Sequence, residues 1–163
     1  MKWTFAAAGA AVLLIPIVTS ADQLPHRKPG LWQVTTTLQG ARTPPAASKM
    51  CIDAQTESTL MNLGQNAVQK MCSKNSVVVR GNVATMDSVC TFGKTVMTSH
   101  STATFADATF RNEMHVSYNP PLFGKSASIM TQDGKWMGAC PPDMKPGDMI
   151  LPGGIKMHLG KSD

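Results

Sequence analysis

Two histidines and a glutamate are the side chains in this chain best suited to metal or proton chemistry. A tight turn at Ala106-Asp107 is predicted to fold one strand back on the next, which places His100 directly opposite Glu113 and His115 on the same face. Imidazole and carboxylate bind metal ions and titrate in useful ranges, so this cluster is a candidate binding site. A solvated sheet face on which opposite charges pair explains the same residues without a ligand.

A second group of potential ligands lies near the C-terminus. The chain contains 12 methionines, and a stretch rich in Pro and Gly carries three of them with a histidine: Met144, Met149, Met157 and His158. Thioether and imidazole groups are soft enough to bind Cu(I), so periplasmic handling of copper or zinc is one functional hypothesis. Their spacing is irregular, however, and most other methionines fall on predicted core faces, where Met fills gaps.

Four cysteines, Cys51, Cys72, Cys90 and Cys140, lack the Cys-x-x-Cys spacing of redox sites. An even number in an exported chain predicts two disulfides, for which three connectivities exist. A two-residue turn at Gly81-Asn82, with one bulge, brings Cys72 opposite Cys90. We therefore predict Cys72 paired with Cys90 and, by elimination, Cys51 paired with Cys140.

Enzymatic activity has little support in the sequence. Serines are so frequent that one near His100 indicates no hydrolytic triad, and the two glutamates, Glu57 and Glu113, do not suggest a glycosidase pair. No catalytic residue and no cofactor is predicted.

The N-terminus predicts export. Lys2 precedes an apolar run at residues 5–18, and Thr19-Ser20-Ala21 offers a cleavage site before Asp22. This run of 14 residues is shorter than the roughly 20 that a membrane span needs. We expect residues 1–21 to be a signal peptide, and no transmembrane segment after its removal. The net charge of +5 is scattered, which argues against nucleic-acid binding.

Residues 22–142 are predicted to form one domain, mainly β, as a curved antiparallel meander or barrel-like sheet of about six to eight strands. An amphipathic helix near residues 54–70 is expected to cover one face or end of the sheet. Asp133-Gly134 predicts a further hairpin, and Asn119-Pro120-Pro121 a break in the meander. Residues 143–163 are expected to form a flexible tail. The predicted strands cover residues 31–39, 49–52, 73–80, 83–92, 94–105, 108–118, 125–132 and 135–140.

Alternation of apolar and polar residues along these strands defines a predicted core. Its members are Trp32, Val34, Leu38, Met86, Phe92, Met97, Phe105, Phe110, Met114, Val116, Tyr118, Met130, Trp136 and Met137.

The chain resembles the bacterial "domain of unknown function 3617" family. The resemblance rests on the segment 28–37, KPGLWQVTTT, the order of the four cysteines, the Gly81-Asn82 turn and the segment 138–141, GACP. It covers about residues 27–142. It implies a small exported protein of a Gram-negative bacterium, in the periplasm or secreted, and brings no activity or ligand with it.

Taken together, these features favour a non-catalytic binding or interaction module. A curved sheet with Met and aromatic residues on its inner face can enclose a small apolar ligand or present that face to a periplasmic partner protein. A cavity filled by its own side chains is the alternative within this hypothesis. Metal handling through the Met/His residues is the second hypothesis, and an enzyme of unknown class the third.

Overall fold

A computed structural model describes residues 24–159 of the chain. Within this range the protein is one antiparallel nine-stranded sheet with one helix, which confirms the predicted mainly-β class. The predicted signal peptide lies outside the described residues. The strands are β1 Gly30–Leu38, β2 Ala46–Ile52, β3 Cys72–Arg80, β4 Val83–Phe92, β5 Thr95–Phe105, β6 Thr109–Leu122, β7 Lys125–Gly138, β8 Asp148–Ile150 and β9 Lys156–His158; the helix α1 is Ala54–Met71.

The strand order in the sheet is β3-β4-β5-β6-β7-β1-β2-β8-β9. No pairing in the described part of the chain joins β3 to the opposite edge, so the sheet is curved but not closed into a barrel. The helix connects β2 to β3, which lie on opposite sides of the seven-stranded part. Its 18 residues span about 27 Å, so α1 bridges the opening between them.

The helix begins where its sequence predicts but packs differently. Asp53 is the N-cap, and its carboxylate accepts a hydrogen bond from the Thr56 backbone N–H at 2.7 Å. That bond lowers the pKa of Asp53. The expected apolar face does not lie on the sheet, since Leu63 is 50% and Met71 43% exposed. Burial is concentrated in the first turn, at Thr56 and Glu57.

The β3–β4 hairpin agrees closely with the prediction. It turns at Gly81-Asn82, and a bulge after Cys72 places that residue opposite Cys90. Both predicted disulfides, Cys72–Cys90 and Cys51–Cys140, are present. The second ties the end of β2 to the segment that follows β7.

Predictions for the next two connections are wrong in detail. The β5–β6 turn occupies four residues, with the Ala106 N–H bonded to the Thr109 carbonyl, so the ladder is shifted by two residues from the predicted register. Strand β6 continues through Pro120-Pro121, and the chain reverses after it at Phe123-Gly124. The expected break at these prolines is therefore absent.

Asp133-Gly134 is not a hairpin turn. Both residues lie inside the continuous strand β7, and Gly134 pairs with Val34 on one side and Phe110 on the other. A Cβ at position 134 would come within 2.0 Å of the Phe110 ring. The glycine is thus explained by the close approach of an aromatic ring and not by a turn.

Replacing Gly134 with alanine is expected to lower the free energy of unfolding by about 1–3 kcal/mol, because the Phe110 ring must move from a packed position. Gly64→Ala is the matched control. Gly64 lies in α1, and a Cβ added there would have no atom within 4 Å. Because alanine favours the helix more than glycine does, Gly64→Ala should raise the free energy of unfolding by up to about 1 kcal/mol. Urea unfolding followed by circular dichroism measures both. Equal effects of the two substitutions would contradict this role for Gly134.

The C-terminal segment contains more regular structure than predicted. Strand β8 pairs with β2, and β9 pairs with β8, so residues 148–158 extend the sheet where a flexible tail was expected. Strand β2 also begins earlier than predicted, at Ala46 directly after Pro45. Pairing with both β1 and β8 stabilises this part of the chain.

The fully buried apolar core is small. Its described members are Trp32, Cys51, Ile52, Ala84, Ala103 and Met144. Three residues of the predicted core, Leu38, Phe92 and Met137, are exposed, and most of the others are half-buried. In β1 and β4–β6 the alternation predicted which face each residue occupies, but no element among the described residues packs over much of that face.

Candidate functional site

One face of strands β1 and β4–β7, called the inner face below, carries a row of directly opposed apolar side chains. Opposed residues in an antiparallel ladder share a face and stand in contact distance. The opposed pairs are Leu38 with Met130, Met130 with Met114, and Met97 with Tyr118. Methionine is flexible and polarisable, so such a surface adapts to ligands of different shape.

The inner face is concave. Ala84, Ser101 and Ala103 have short side chains and yet are at most 4% exposed, so longer neighbouring side chains cover them. On the opposite face of the same strands, His100 and Thr102 are exposed. Curvature towards the inner side accounts for this difference.

An open cavity of about 310 Å³ lies on the inner face. Its lining residues are Leu38, Cys90, Met97, Ser99, Met114, Val116, Tyr118, Ser128 and Met130. Six of these nine belong to the predicted core, but here they surround a space that residues 24–159 do not fill.

A few polar groups are placed among these apolar side chains. The Tyr118 hydroxyl is 2.7 Å from that of Ser128, and the Ser99 hydroxyl is 2.7 Å from that of Ser88. Nearby, Asn112 is only 8% exposed and its Oδ1 has no hydrogen-bond partner, while its Nδ2 donates to Gln132. Ser99, Tyr118 and Ser128 line the cavity, and an apolar cavity with a small number of positioned hydroxyl groups is typical of small-molecule sites.

The other end of the inner face is closed by an aromatic and ionic cluster. The Arg27 guanidinium lies 5.9 Å from the Trp32 ring centroid and 5.7 Å from that of Phe110. The same group binds both carboxylate oxygens of Glu57, with Nε 2.9 Å from Oε1. No local sequence pattern links Arg27 to Glu57, which lies thirty residues further along the chain, so this contact is not predictable from the sequence.

The predicted histidine cluster is only partly assembled. His100 stands opposite His115 and not Glu113, because the longer β5–β6 turn shifts the register. His100 is hydrogen-bonded to Asp87 at 2.7 Å, and His115 to Glu113 at 2.8 Å. All four side chains are at least half exposed. Across residues 24–159, no three His, Cys, Asp or Glu side chains form a group that could hold a metal ion.

The four predicted C-terminal residues all lie around the β8–β9 hairpin, but Met149 and Met157 are opposed in the ladder next to the opposed pair Asp148 and His158, so the thioethers and the imidazole alternate between its two faces. Met144, Met149, Met157 and His158 all line one cavity of about 290 Å³ beside β8 and β9. Asp148 lines it too, and its carboxylate accepts hydrogen bonds from the Lys145 N–H and pairs with His158. These bonds lower the pKa of Asp148, with the Lys145 backbone bond contributing most.

A wider hollow of about 670 Å³ opens beside the β5–β6 turn. It contains the exposed Arg111–Asp133 ion pair, in which the two groups already satisfy each other at 2.8 Å. Lys135 and Gln33 also line this hollow.

These features define a class: a small, disulfide-bonded β protein with an open, concave and largely apolar sheet face. The comparison with family models adds the family. The family model described as "Protein of unknown function (DUF3617)" matches residues 27–140, well over half of the chain, so the protein belongs to this family. Comparison with curated proteins and with solved structures finds no match. The helix described here is not long and apolar enough to cross a membrane.

Proposed function

We propose that this protein is an exported, non-catalytic binding module whose inner face takes a small, mainly apolar molecule. The observation that carries the proposal is the open cavity between Met97, Met114 and Met130, three half-buried thioether side chains that no other element covers among the described residues. Water in contact with such a surface is displaced favourably by apolar groups. Export is supported by the signal-like pattern at residues 1–21 and by two disulfides, which persist in oxidising compartments.

The dimensions favour a small molecule as the occupant. The cavity of about 310 Å³ is at the lower end of the range of about 300–1,000 Å³ found for small-molecule sites. Its concave wall suits a compact ligand better than the flat core of a protein interface. The Tyr118–Ser128 hydroxyl pair at 2.7 Å provides a polar contact for one end of such a ligand.

A charge placed on the inner face should weaken this binding strongly. We expect Met114→Lys to weaken binding of the apolar fluorophore N-phenyl-1-naphthylamine at least tenfold, about 1.4 kcal/mol, because the ligand would have to desolvate the ammonium group. Fluorescence titration of the folded mature protein measures the change. The matched control is His115→Lys, the next residue along β6, whose side chain is on the opposite face and 52% exposed.

Native mass spectrometry of protein purified from its own export compartment tests the occupant directly. An organic adduct that is lost in Met114→Lys and kept in His115→Lys is the expected result. A bare polypeptide that fails to bind the fluorophore would overturn the proposal. Stoichiometric co-purification of another protein on the same face would instead favour the partner-protein alternative and reject the small molecule.

A further inference from the structure

Two neighbouring turns at one end of the sheet expose large apolar side chains. Phe123, in the β6–β7 turn, is 91% exposed, and Phe92 and Val96, on either side of the β4–β5 turn, are 52% and 41% exposed. Strands β5 and β6 are neighbours and Val96 is paired with Asn119, so both turns lie at the same end of the sheet. The turns are about two strand spacings, roughly 10 Å, apart. One flat partner can therefore contact both.

The fold alone does not account for a phenylalanine at position 123. Its φ is 50°, a left-handed conformation that turns usually give to Gly or Asn. The ring is almost fully exposed, so it adds little to the packing of the described residues. A large apolar side chain exposed in an unfavourable backbone conformation motivates a search for what it binds.

The charged side chains around these turns are all positive. Cys72 at the start of β3 is paired with Cys90 near the end of β4, so residues 70–74 meet residues 92–96 and 119–126 at this end of the sheet. These three segments, called the turn surface below, contain no Asp or Glu. Their charged residues are Lys70, Lys74, Lys94 and Lys125. All four are exposed, and none forms an ion pair with another described residue.

Carboxylates lie farther along the strands. Asp87 is five residues before Phe92, and Asp133 is eight residues after Lys125. At about 3.3 Å per residue, these separations are roughly 16 Å and 26 Å. Both carboxylates already have side-chain partners. A partner of the turn surface therefore meets exposed apolar side chains surrounded by positive charge.

We propose that the turn surface docks this protein on an anionic phospholipid membrane, with the Phe123 ring in the interfacial region and the four lysines against the headgroups. Apolar side chains in the interface and cations near anionic lipids both contribute to the binding of peripheral proteins. A stable protein partner needs roughly 800 Å² of closely packed surface on each side, whereas two turns offer a few separate apolar side chains. A bilayer needs no complementary shape.

The test is sedimentation of the folded mature protein, disulfides intact, with vesicles of equal parts phosphatidylcholine and phosphatidylglycerol. Wild type should bind these vesicles at least about tenfold more tightly than vesicles of phosphatidylcholine alone. Lys94→Glu/Lys125→Glu should weaken binding to the anionic vesicles at least about tenfold, because it places two anions beside the headgroups.

The matched control for charge is Lys135→Glu/Lys145→Glu. Both lysines are exposed and lie towards the other end of the sheet, and the change in net charge is the same. Lys135 is ten residues along β7 from Lys125, which is more than a Debye length of about 10 Å at 0.1 M salt. Binding of this variant should stay within about twofold of wild type at that ionic strength.

Phe123 tests the apolar contribution. Phe123→Ala should weaken binding to the anionic vesicles about tenfold, because the ring no longer leaves water. Met137→Ala, at the other end of β7 and 48% exposed, is the control and should bind as wild type does. Phe123→Trp should bind, and brominated phospholipid in the vesicles should quench its fluorescence beyond that of wild type.

The proposal does not rest on the inner-face ligand, because neither Phe123 nor any of the four lysines lines that cavity. Phe123→Ala should therefore bind the apolar fluorophore as wild type does when vesicles are absent. Failure of wild type to bind anionic vesicles, an equal loss in the Lys135→Glu/Lys145→Glu control, or unquenched fluorescence of Phe123→Trp would overturn the proposal. A wild-type dimer that Phe123→Ala dissociates would also reject it, since the occupant would then be a second copy.

Discussion

Replacing Trp32 with alanine is expected to lower the free energy of unfolding by about 3–5 kcal/mol, among the largest effects of any single substitution in this protein. Trp32 is 1% exposed and lies 5.9 Å from Phe110, centroid to centroid. Its Nε1 donates to the Lys28 carbonyl at 2.8 Å. Truncation therefore removes packing from one of the few fully buried positions and leaves a cavity beside the Arg27 guanidinium.

Urea unfolding with disulfides intact measures this loss as a lower transition midpoint. Phe92→Ala is the matched control, because sequence alternation assigns both aromatic residues to the core, whereas the structure leaves Phe92 52% exposed. We expect Phe92→Ala to cost about 1 kcal/mol or less. If the two substitutions cost the same, the small, localised core described here would be wrong.

The comparison of these two residues shows how far the sequence predicts the fold. Alternation assigns a residue to one face of a strand, and it did so correctly for β1 and for β4–β6. It does not reveal whether anything packs over that face. The apolar stripe of α1 suggested a cover for the sheet, but α1 bridges the opening between β2 and β3, and Leu63 and Met71 remain exposed.

Turn residues in the sequence predicted one hairpin turn correctly and another wrongly. Gly81-Asn82 turns as predicted, and its register led to the correct disulfide pairing. Asp133-Gly134 carries an even stronger hairpin signal, but the glycine is required by the Phe110 ring that packs against it. Contact with a distant residue decides the conformation there, and a local pattern cannot report that contact.

The prediction of candidate site residues was also limited wherever it depended on contacts between distant parts of the chain. The sequence placed Met149, Met157 and His158 in a flexible tail, whereas they lie in strands β8 and β9, and pairing of β8 with β2 joins this hairpin to the sheet. It paired His100 with Glu113, which depended on a turn length that the structure changes. Arg27 was missed because its role depends on contacts with Glu57 and with two rings of the sheet.

Removing the Glu57 carboxylate is the second substitution from which we expect a large effect. Glu57→Gln should destabilise the protein by about 3–5 kcal/mol, because it leaves the Arg27 charge without its partner in a site where the two side chains are 16% and 7% exposed. The same change detaches the first turn of α1 from the aromatic end of the sheet. Urea unfolding of the variant beside wild type measures the loss.

A second variant separates the cost of an unpaired charge from the net value of the ion pair. Arg27→Met/Glu57→Leu removes both charges and keeps apolar bulk, so it should recover most of the stability lost in Glu57→Gln. Asp133→Asn, in the exposed pair with Arg111, is the control and should cost about 1 kcal/mol or less. A loss in Glu57→Gln no larger than in this control would mean that solvent reaches Arg27. The guanidinium would then not close this end of the inner face.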